Sequence, residues 1–379
     1  MPLRPAVLRL ALTDFRCYEA ARLEVDQRPV VLTGANGAGK TNLLEAISLL
    51  APGRGLRRAK LTEIDRRAPA SRRSGAWAIA ARVQTGTGEV QIGTGRDAAS
   101  ASGERRIVRI DGAKAKSQAE LASLMPLVWL TPQMDRLFLE GSGGRRRFLD
   151  RLVVSFDAGH AARHAAYDQA MRERARLLRE GGADPGWLAA LEEGMAADGV
   201  AIAAARRDLV ARLDIACAAE TGPFPRALLA LEGEVDLWLG AMPALATEDQ
   251  LRRRLEAMRR SDAESGVTAS GPHRSDLLVR HAPSGMEAAL CSTGEQKALL
   301  IAIVLAHARL KAQATGAPPA LLLDEVAAHL DATRRGALYA ALVALGAQAW
   351  LTGTEPALFA GLAGAAQFFT VADATITAG

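Results

Sequence analysis

The chain has 379 residues, 49% hydrophobic, 23% charged and 4% aromatic, with a formal net charge of +5. That length can bury one large core or two domains, and the positive balance allows attraction to phosphate backbones. Three widely spaced cysteines, Cys17, Cys217 and Cys291, exclude a disulfide framework or a zinc spacing, and the scarce aromatics exclude a stacking platform for single strands.

In chain order, the first informative segment is Val30-Val31-Leu32, a short strand, followed by Gly34-Ala35-Asn36-Gly37-Ala38-Gly39-Lys40-Thr41 and a helix beginning at Asn42. This is the phosphate-loop pattern Gly-x4-Gly-Lys-Thr in its proper strand-to-helix setting. Glycines let backbone N–H groups turn inward on phosphates, Lys40 reaches the β/γ-phosphates and the Thr41 hydroxyl holds Mg²⁺. The positive helix N-terminus adds to the anion site, and residues 34–42 are the expected nucleotide cradle. Just beyond the helix comes a basic run, Arg54, Arg57, Arg58 and Lys60.

Short alternating runs at 77–83, 89–92 and 105–110, separated by Gly86-Thr87-Gly88 and Asp111-Gly112, predict antiparallel strands. Leu127-Val128-Trp129-Leu130 predicts a buried strand leading into Gln133. From 133 to about 262 the chain is dense in Ala, Leu, Arg and Glu and reads as helical. It is broken at Gly181-Gly182, Asp184-Pro185-Gly186, Gly222-Pro223-Phe224-Pro225 and Met242-Pro243, which a sustained coiled coil does not tolerate. A compact helical lobe is therefore expected. Its Arg-rich stretches at 172–179 and 252–260 are a solvated helix face or a DNA surface. Arg145, Arg146 and Arg147 form a second basic run. Arg145 is a candidate DNA contact; Arg146 and Arg147 either contact DNA or pair with acids between lobes.

Ser292-Thr293-Gly294 at the start of an apolar helix is a second anion-binding loop. The run Ala320-Leu321-Leu322-Leu323 is a buried strand ending in Asp324 and Glu325. An acid at such a strand end holds Mg²⁺, so Asp324 takes that role and Glu325 polarises the attacking water. Asp331 follows on a loop suited to face an opposite nucleotide site. Two phosphate-directed loops in one chain imply a head-to-tail pair, each site using the P-loop of one subunit and Ser292 and Gly294 of the other.

Together these segments resemble the Walker A, signature, Walker B and D-loop elements of ABC-type ATPases. Their wide separation is unlike transporter subunits and is similar to the SMC/Rad50 branch, where structure is inserted between two ATPase halves. Within that branch the chain resembles the RecF family of bacterial recombination mediators. The resemblance covers nearly the whole length and rests also on Asp14-Phe15-Arg16-Cys17-Tyr18, on the segment 132–150 and on Ser270-Gly271-Pro272-His273-Arg274-Ser275-Asp276. It implies an α/β fold: an ABC-type P-loop ATPase head split in sequence, with an inserted compact helical lobe and no long coiled coil. The expected division is 1–132, 133–265 and 266–379. Gln133 resembles the Q-loop glutamine that completes the Mg²⁺ shell, and Thr354 stands near the usual place of a γ-phosphate-sensing histidine.

Departures from the family pattern are Gly143 for a usual proline, Gln133 where an acid is common, and Cys291 and Glu295 in place of the Leu and Gln of the ABC signature. The resemblance implies a weak, DNA-stimulated ATPase using ATP and Mg²⁺. In this view an ATP-dependent homodimer holds duplex DNA beside a single-strand gap, and hydrolysis releases it. DNA replication and repair, the SOS response and loading of a recombinase with the RecO and RecR proteins come with the family. Two rivals remain: a nuclease-associated or anti-phage ATPase of the same branch, and a transporter-type ATPase subunit. The start, Met1-Pro2-Leu3-Arg4, has no signal-peptide organisation, and the longest apolar run, 298–308, is too short to cross a bilayer. A cytoplasmic location without a membrane partner is therefore expected.

Overall fold

The computed structural model describes residues 4–66, 75–100, 103–181 and 184–379, with the His329 side chain also outside the description. The N-terminal part holds β1 (Ala6–Phe15), β2 (Tyr18–Glu24), β3 (Val30–Thr33), α1 (Lys40–Ser48), β4 (Ala78–Thr85), β5 (Gly88–Arg96), β6 (Arg106–Ile110), β7 (Ala113–Lys114), α2 (Glu120–Leu124) and β8 (Leu127–Leu130). The middle holds α3 (Ser142–Val154), α4 (His160–Glu180), α5 (Pro185–Ala218), β9 (Ala227–Glu232), α6 (Glu234–Ala241), α7 (Ala244–Ala257) and α8 (Arg259–Ser265). Then come β10 (Asp276–His281), α9 (Thr293–Thr315), β11 (Ala320–Leu323), α10 (Ala332–Leu345), β12 (Ala349–Gly353), β13 (Gln367–Ala372) and β14 (Thr375–Ala378).

The chain forms two compact units. The first comprises Met1–Asp135, Thr221–Phe224 and Val304–Gly379; the second comprises Arg136–Glu220 and Pro225–Ile303. The expected division at 265/266 thus differs from the observed one. Sheet pairing supplies the reason: among the described residues the strand paired with β10 is β9, from His281↔Ala227 to Asp276↔Glu232, so β10 stays with the inserted segment.

In the first unit two six-stranded sheets enclose α1. One is antiparallel in the order β2-β1-β4-β5-β6-β7. The other runs β14-β13-β3-β12-β11-β8, parallel except for β14. Strands β3, β8, β11 and β12 are buried along their whole length, as expected of parallel strands covered on both faces. Leu43, Leu44 and Ile47 of α1 join Leu10, Phe15 and Trp77 of the antiparallel side and Leu32, Leu322 and Trp350 of the parallel sheet in one core. Gln348 ties the two sheets: its amide accepts from Val7 N (2.8 Å) and donates to Val7 O (2.8 Å) and Asp26 O (2.7 Å).

The second unit is helical around Tyr167, Met195, Val200, Ile202, Leu251 and Leu255. Helix α4 ends at Gly181, and α5 starts on Pro185 with Asp184 as its N-cap, accepting from Gly186 N at 2.8 Å. Of the expected breakers, Gly182 lies outside the described residues. No long coiled coil is present among them; the longest helix is α5, of 34 residues. The arginine-rich stretches divide. Arg174 is wholly buried, bonded to Glu192 (2.9 Å), Asp262 (2.7 Å) and Leu255 O (2.7 Å), whereas Arg176 lies on the surface between Glu173 and Glu180.

Strand β9 is an exception within the mainly helical middle that the sequence predicts. Its sequence, Ala-Leu-Leu-Ala-Leu-Glu, is made of good helix formers, and partner pairing overrides that weak local preference. Helix α9 is longer than the apolar run suggests. At 23 residues it is long and apolar enough to cross a membrane by length and composition, yet 61% of its apolar window is buried inside the protein.

Candidate nucleotide site and the basic surface

Three strand ends converge in the first unit. Strand β12 lies between β3 and β11, in register Thr352↔Leu32 on one side and Leu351↔Leu323 on the other. Strand β3 runs into the glycine loop and β11 into Asp324 and Glu325, so both motifs emerge at the carboxyl edge of one parallel sheet. Ligands of open α/β sheets bind at that edge.

The loop needs its glycines. Gly34 has φ 151°, and a Cβ there would stand 2.1 Å from Val371 O. Gly39 has φ 118°, and its Cβ would meet the Tyr18 hydroxyl at 2.5 Å. Ala35, Asn36 and Gly37 are exposed, Gly39 and Lys40 buried. The Lys40 ammonium folds over its own loop and donates to Gly34 O (2.7 Å) and Ala35 O (2.8 Å). Burial pushes its pKa down, opposed by the Glu325 and Asp324 carboxylates. Thr41 Oγ1 donates to Asp324 Oδ1 at 3.0 Å, bringing together residues 283 positions apart. Glu325 is half-buried with φ 53°, the left-handed region.

The Phe15-Arg16 segment supports α1 from below. Arg16 bonds Glu45 through Nε (2.8 Å) and Nη2 (2.6 Å), and Nη1 donates to Glu63 O (2.7 Å). Glu45 is fully buried on the apolar face of α1. Tyr18 Oη donates to Gly39 O (3.1 Å), and Asn42 Nδ2 donates to Cys17 Sγ (3.1 Å). Arg16, Glu45 and Thr352 were not among the sequence-derived site residues. A carboxylate within the apolar run of α1 is the signal that marks Glu45.

Gln133 follows β8, the strand beside β11, in a short 3-10 turn and is exposed. Asp331 caps α10, accepting from Arg334 N at 2.8 Å. Thr354 is exposed one residue beyond β12, while its neighbour Thr352 is the residue that touches Asp324.

In the second unit, Ser292 and Gly294 are exposed at the start of α9. Ser292 and Glu295 form a reciprocal capping box. Ser292 N (2.9 Å) and Oγ (2.8 Å) donate to the Glu295 carboxylate, and Glu295 N donates back to Ser292 Oγ (3.3 Å). The Glu295 departure therefore has a local role in fixing this helix start.

The candidate DNA contacts lie in two stretches of the chain. Arg54, Arg58 and Lys60 are exposed. Arg57 is engaged with Asn42 Oδ1 (2.8 Å) and Glu45 (3.3 Å). Arg145 is bound internally: it clasps the Asp276 carboxylate with two bonds of 2.7 Å and donates to Glu140 O at 2.6 Å. That geometry leaves its guanidinium little to offer a phosphate and corrects its assignment as a DNA contact. Arg146 likewise bonds Ser142 Oγ (2.7 Å) and Ser275 O (2.6 Å), while Arg147 is exposed.

Comparison with known proteins agrees with this architecture. The sequence model of the RecF/RecN/SMC N-terminal domain matches residues 6–375. The chain is 51% identical to the DNA replication and repair protein RecF of Rhizobium rhizogenes over 379 residues, covering 100% of both chains. It is 50% identical to that of Mesorhizobium japonicum, covering 99% of this chain and 98% of the relative.

The chain belongs to the RecF family.

Its fold is likewise similar to that of a solved recombination mediator RecF with a bound ATP analogue, at TM-score 0.84 and 22% identity over 99% of this chain and 98% of the other. An Smc head domain from Pyrococcus furiosus is more distant, at TM-score 0.56 and 15% identity, covering 98% of this chain and 95% of the other. The domain is thus of the SMC-like, ABC ATPase type. Its two sequence halves are rejoined in the first unit by β3, β12, β11 and β8.

Proposed function

We propose that the chain binds ATP with Mg²⁺ at the carboxyl edge of the parallel sheet and works as an ATP-gated DNA clamp in recombinational repair and replication restart. The observation that carries this reading is the meeting of Thr41 and Asp324, one from each half of the chain, beneath the glycine loop. A hydroxyl beside a single carboxylate suits Mg²⁺, which keeps most of its water and needs no cage of protein ligands. No cluster of three or more His, Cys, Asp or Glu with metal-holding geometry occurs among the described residues, in keeping with that choice.

Thr41 and Asp324 would hold the cation, with Gln133 approaching from the neighbouring strand. When bound, Mg²⁺ would neutralise negative charge on the phosphates. Residues 34–42 cradle the phosphates through backbone N–H groups, and Lys40 exchanges its two loop carbonyls for phosphate oxygens. Glu325 orients the attacking water. Ser292 and Gly294 of a second copy close on the γ-phosphate with Asp331 nearby, making an ATP-dependent homodimer. Arg54, Arg58 and Lys60 then neutralise phosphates of duplex DNA without reading sequence. Hydrolysis, slow and DNA-stimulated, opens the dimer and releases DNA. The solved mediator is described within the RecFOR pathway, and by family the partners of this chain are RecO and RecR, with which it loads a recombinase at gaps.

The test is light scattering after size exclusion, on wild type and Glu325→Gln, with ATP and Mg²⁺, with and without a gapped duplex. The expected result is a monomer without nucleotide and an ATP-dependent dimer that retains DNA, longer-lived in Glu325→Gln. A protein that stays monomeric, or dimerises without retaining DNA, would overturn the clamp.

A further inference from the structure

Thr352 occupies the end of the strand between the two that deliver the P-loop and the acids. It is 1% exposed. Its hydroxyl accepts from the Glu325 backbone N–H (2.9 Å) and stands 2.8 Å from Asp324 Oδ1. An N–H can only donate, so the one hydroxyl proton is free to go to the carboxylate. Both acids after β11 are therefore held by one side chain from the adjacent strand.

The two threonines at Asp324 differ in what a cation would do to them. Thr41 also donates to Oδ1, but it is half-buried in the first turn of α1 and would itself be a ligand for the metal. Thr352 lies inside the sheet and can keep its bonds whether or not a cation is present. Asp324 Oδ2 accepts no hydrogen bond from the described residues, which leaves it for the hydrated metal. Glu325 sits at φ 53°, a conformation that side chains other than glycine adopt at a cost. Its N–H is the group that pins that peptide, and Thr352 is the group that receives it.

We propose that Thr352 is a positioning residue that fixes Asp324 for the metal and Glu325 for the attacking water. The inference rests on the proposed reading of this edge as a nucleotide–Mg²⁺ site. Thr354, exposed beyond the strand end, has no part in it.

The experiment compares wild type, Thr352→Val, Thr352→Ala, Thr352→Ser and Lys40→Ala. Binding of a fluorescent ATP analogue is measured in chelator and across a Mg²⁺ titration, and hydrolysis is split into kcat and KM. Valine keeps the shape and strand preference but removes both bonds, and alanine serves as the comparison where valine does not fold. Expected for either is unchanged metal-free binding, a Mg²⁺ requirement raised about tenfold and a kcat that falls while KM holds, as loss of bonds to a charged site predicts. Serine should restore both values. A Mg²⁺ titration like wild type overturns the proposal, and so does loss of metal-free binding in parallel with the Mg²⁺ response, which marks packing damage alone. If wild type binds nucleotide no better than Lys40→Ala, the nucleotide site itself fails, a result separable from the other two.

Discussion

Replacing Arg16 by alanine tests whether the hairpin after β1 holds the P-loop helix in place. Arg16 makes two charge-assisted bonds to Glu45 and one to Glu63 O, with side-chain exposures of 18% for Arg16 and 1% for Glu45. Removing one partner of a buried pair costs about 3–5 kcal/mol because the other charge is left in low dielectric. Arg57, exposed and 3.3 Å from the same carboxylate, partly compensates. The lower end, about 3 kcal/mol, is therefore expected. The double change Arg16→Met with Glu45→Leu removes both charges and should cost less than Arg16→Ala alone, an inversion that independent sites do not give. The assay is urea unfolding, followed by hydrogen exchange at the α1 amides so that the first unit is read separately from the second. A loss below about 0.5 kcal/mol for Arg16→Ala, or simple additivity in the double variant, would refute the reasoning.

Three further outcomes follow from the second unit and the basic surface. His164 is bonded by Asp150 and Asp168, which raise its pKa from 6.5 to about 9; Arg206 and His160 share Asp150 with it. A folded pKa above the unfolded one stabilises fully below about pH 6.5 and loses that contribution as pH rises through about 9. Urea midpoints of the second unit should therefore fall from pH 6.5 to 9 in wild type, with a shallower fall in His164→Gln; equal slopes would refute the assignment. Arg145→Ala should destabilise the second unit by about 2–3 kcal/mol, since Asp276 loses its clasp. Arg54→Ala or Lys60→Ala should leave stability alone and lower the log–log salt slope of duplex binding by about 0.9 each. Normal stability in Arg145→Ala, or an unchanged slope in both surface variants, would reverse these roles.

The motifs legible in the sequence are those whose chemistry is written in consecutive residues. The glycine loop declares itself because only that spacing lets the backbone close on a phosphate. Asp324 and Glu325 declare themselves because two acids at the end of an all-apolar strand have no packing role. The breaks at Gly181, Pro185 and Pro243 likewise show that no long coiled coil interrupts the head, since proline and glycine act on their own backbone.

What the sequence could not decide depends on partners distant along the chain. Thr352 and Thr354 are the same residue type two positions apart, and only the register of β12 against β11 puts the first beside Asp324 and leaves the second in solvent. Arg145 and Arg54 are both arginines in basic runs, and only the fold gives one of them a carboxylate 131 residues away. Strand β9 carries a helix former's composition, and its pairing with β10 overrules it. Local rules set loop chemistry and helix ends; pairing across the sheet and burial of charge set which side chains remain free to act.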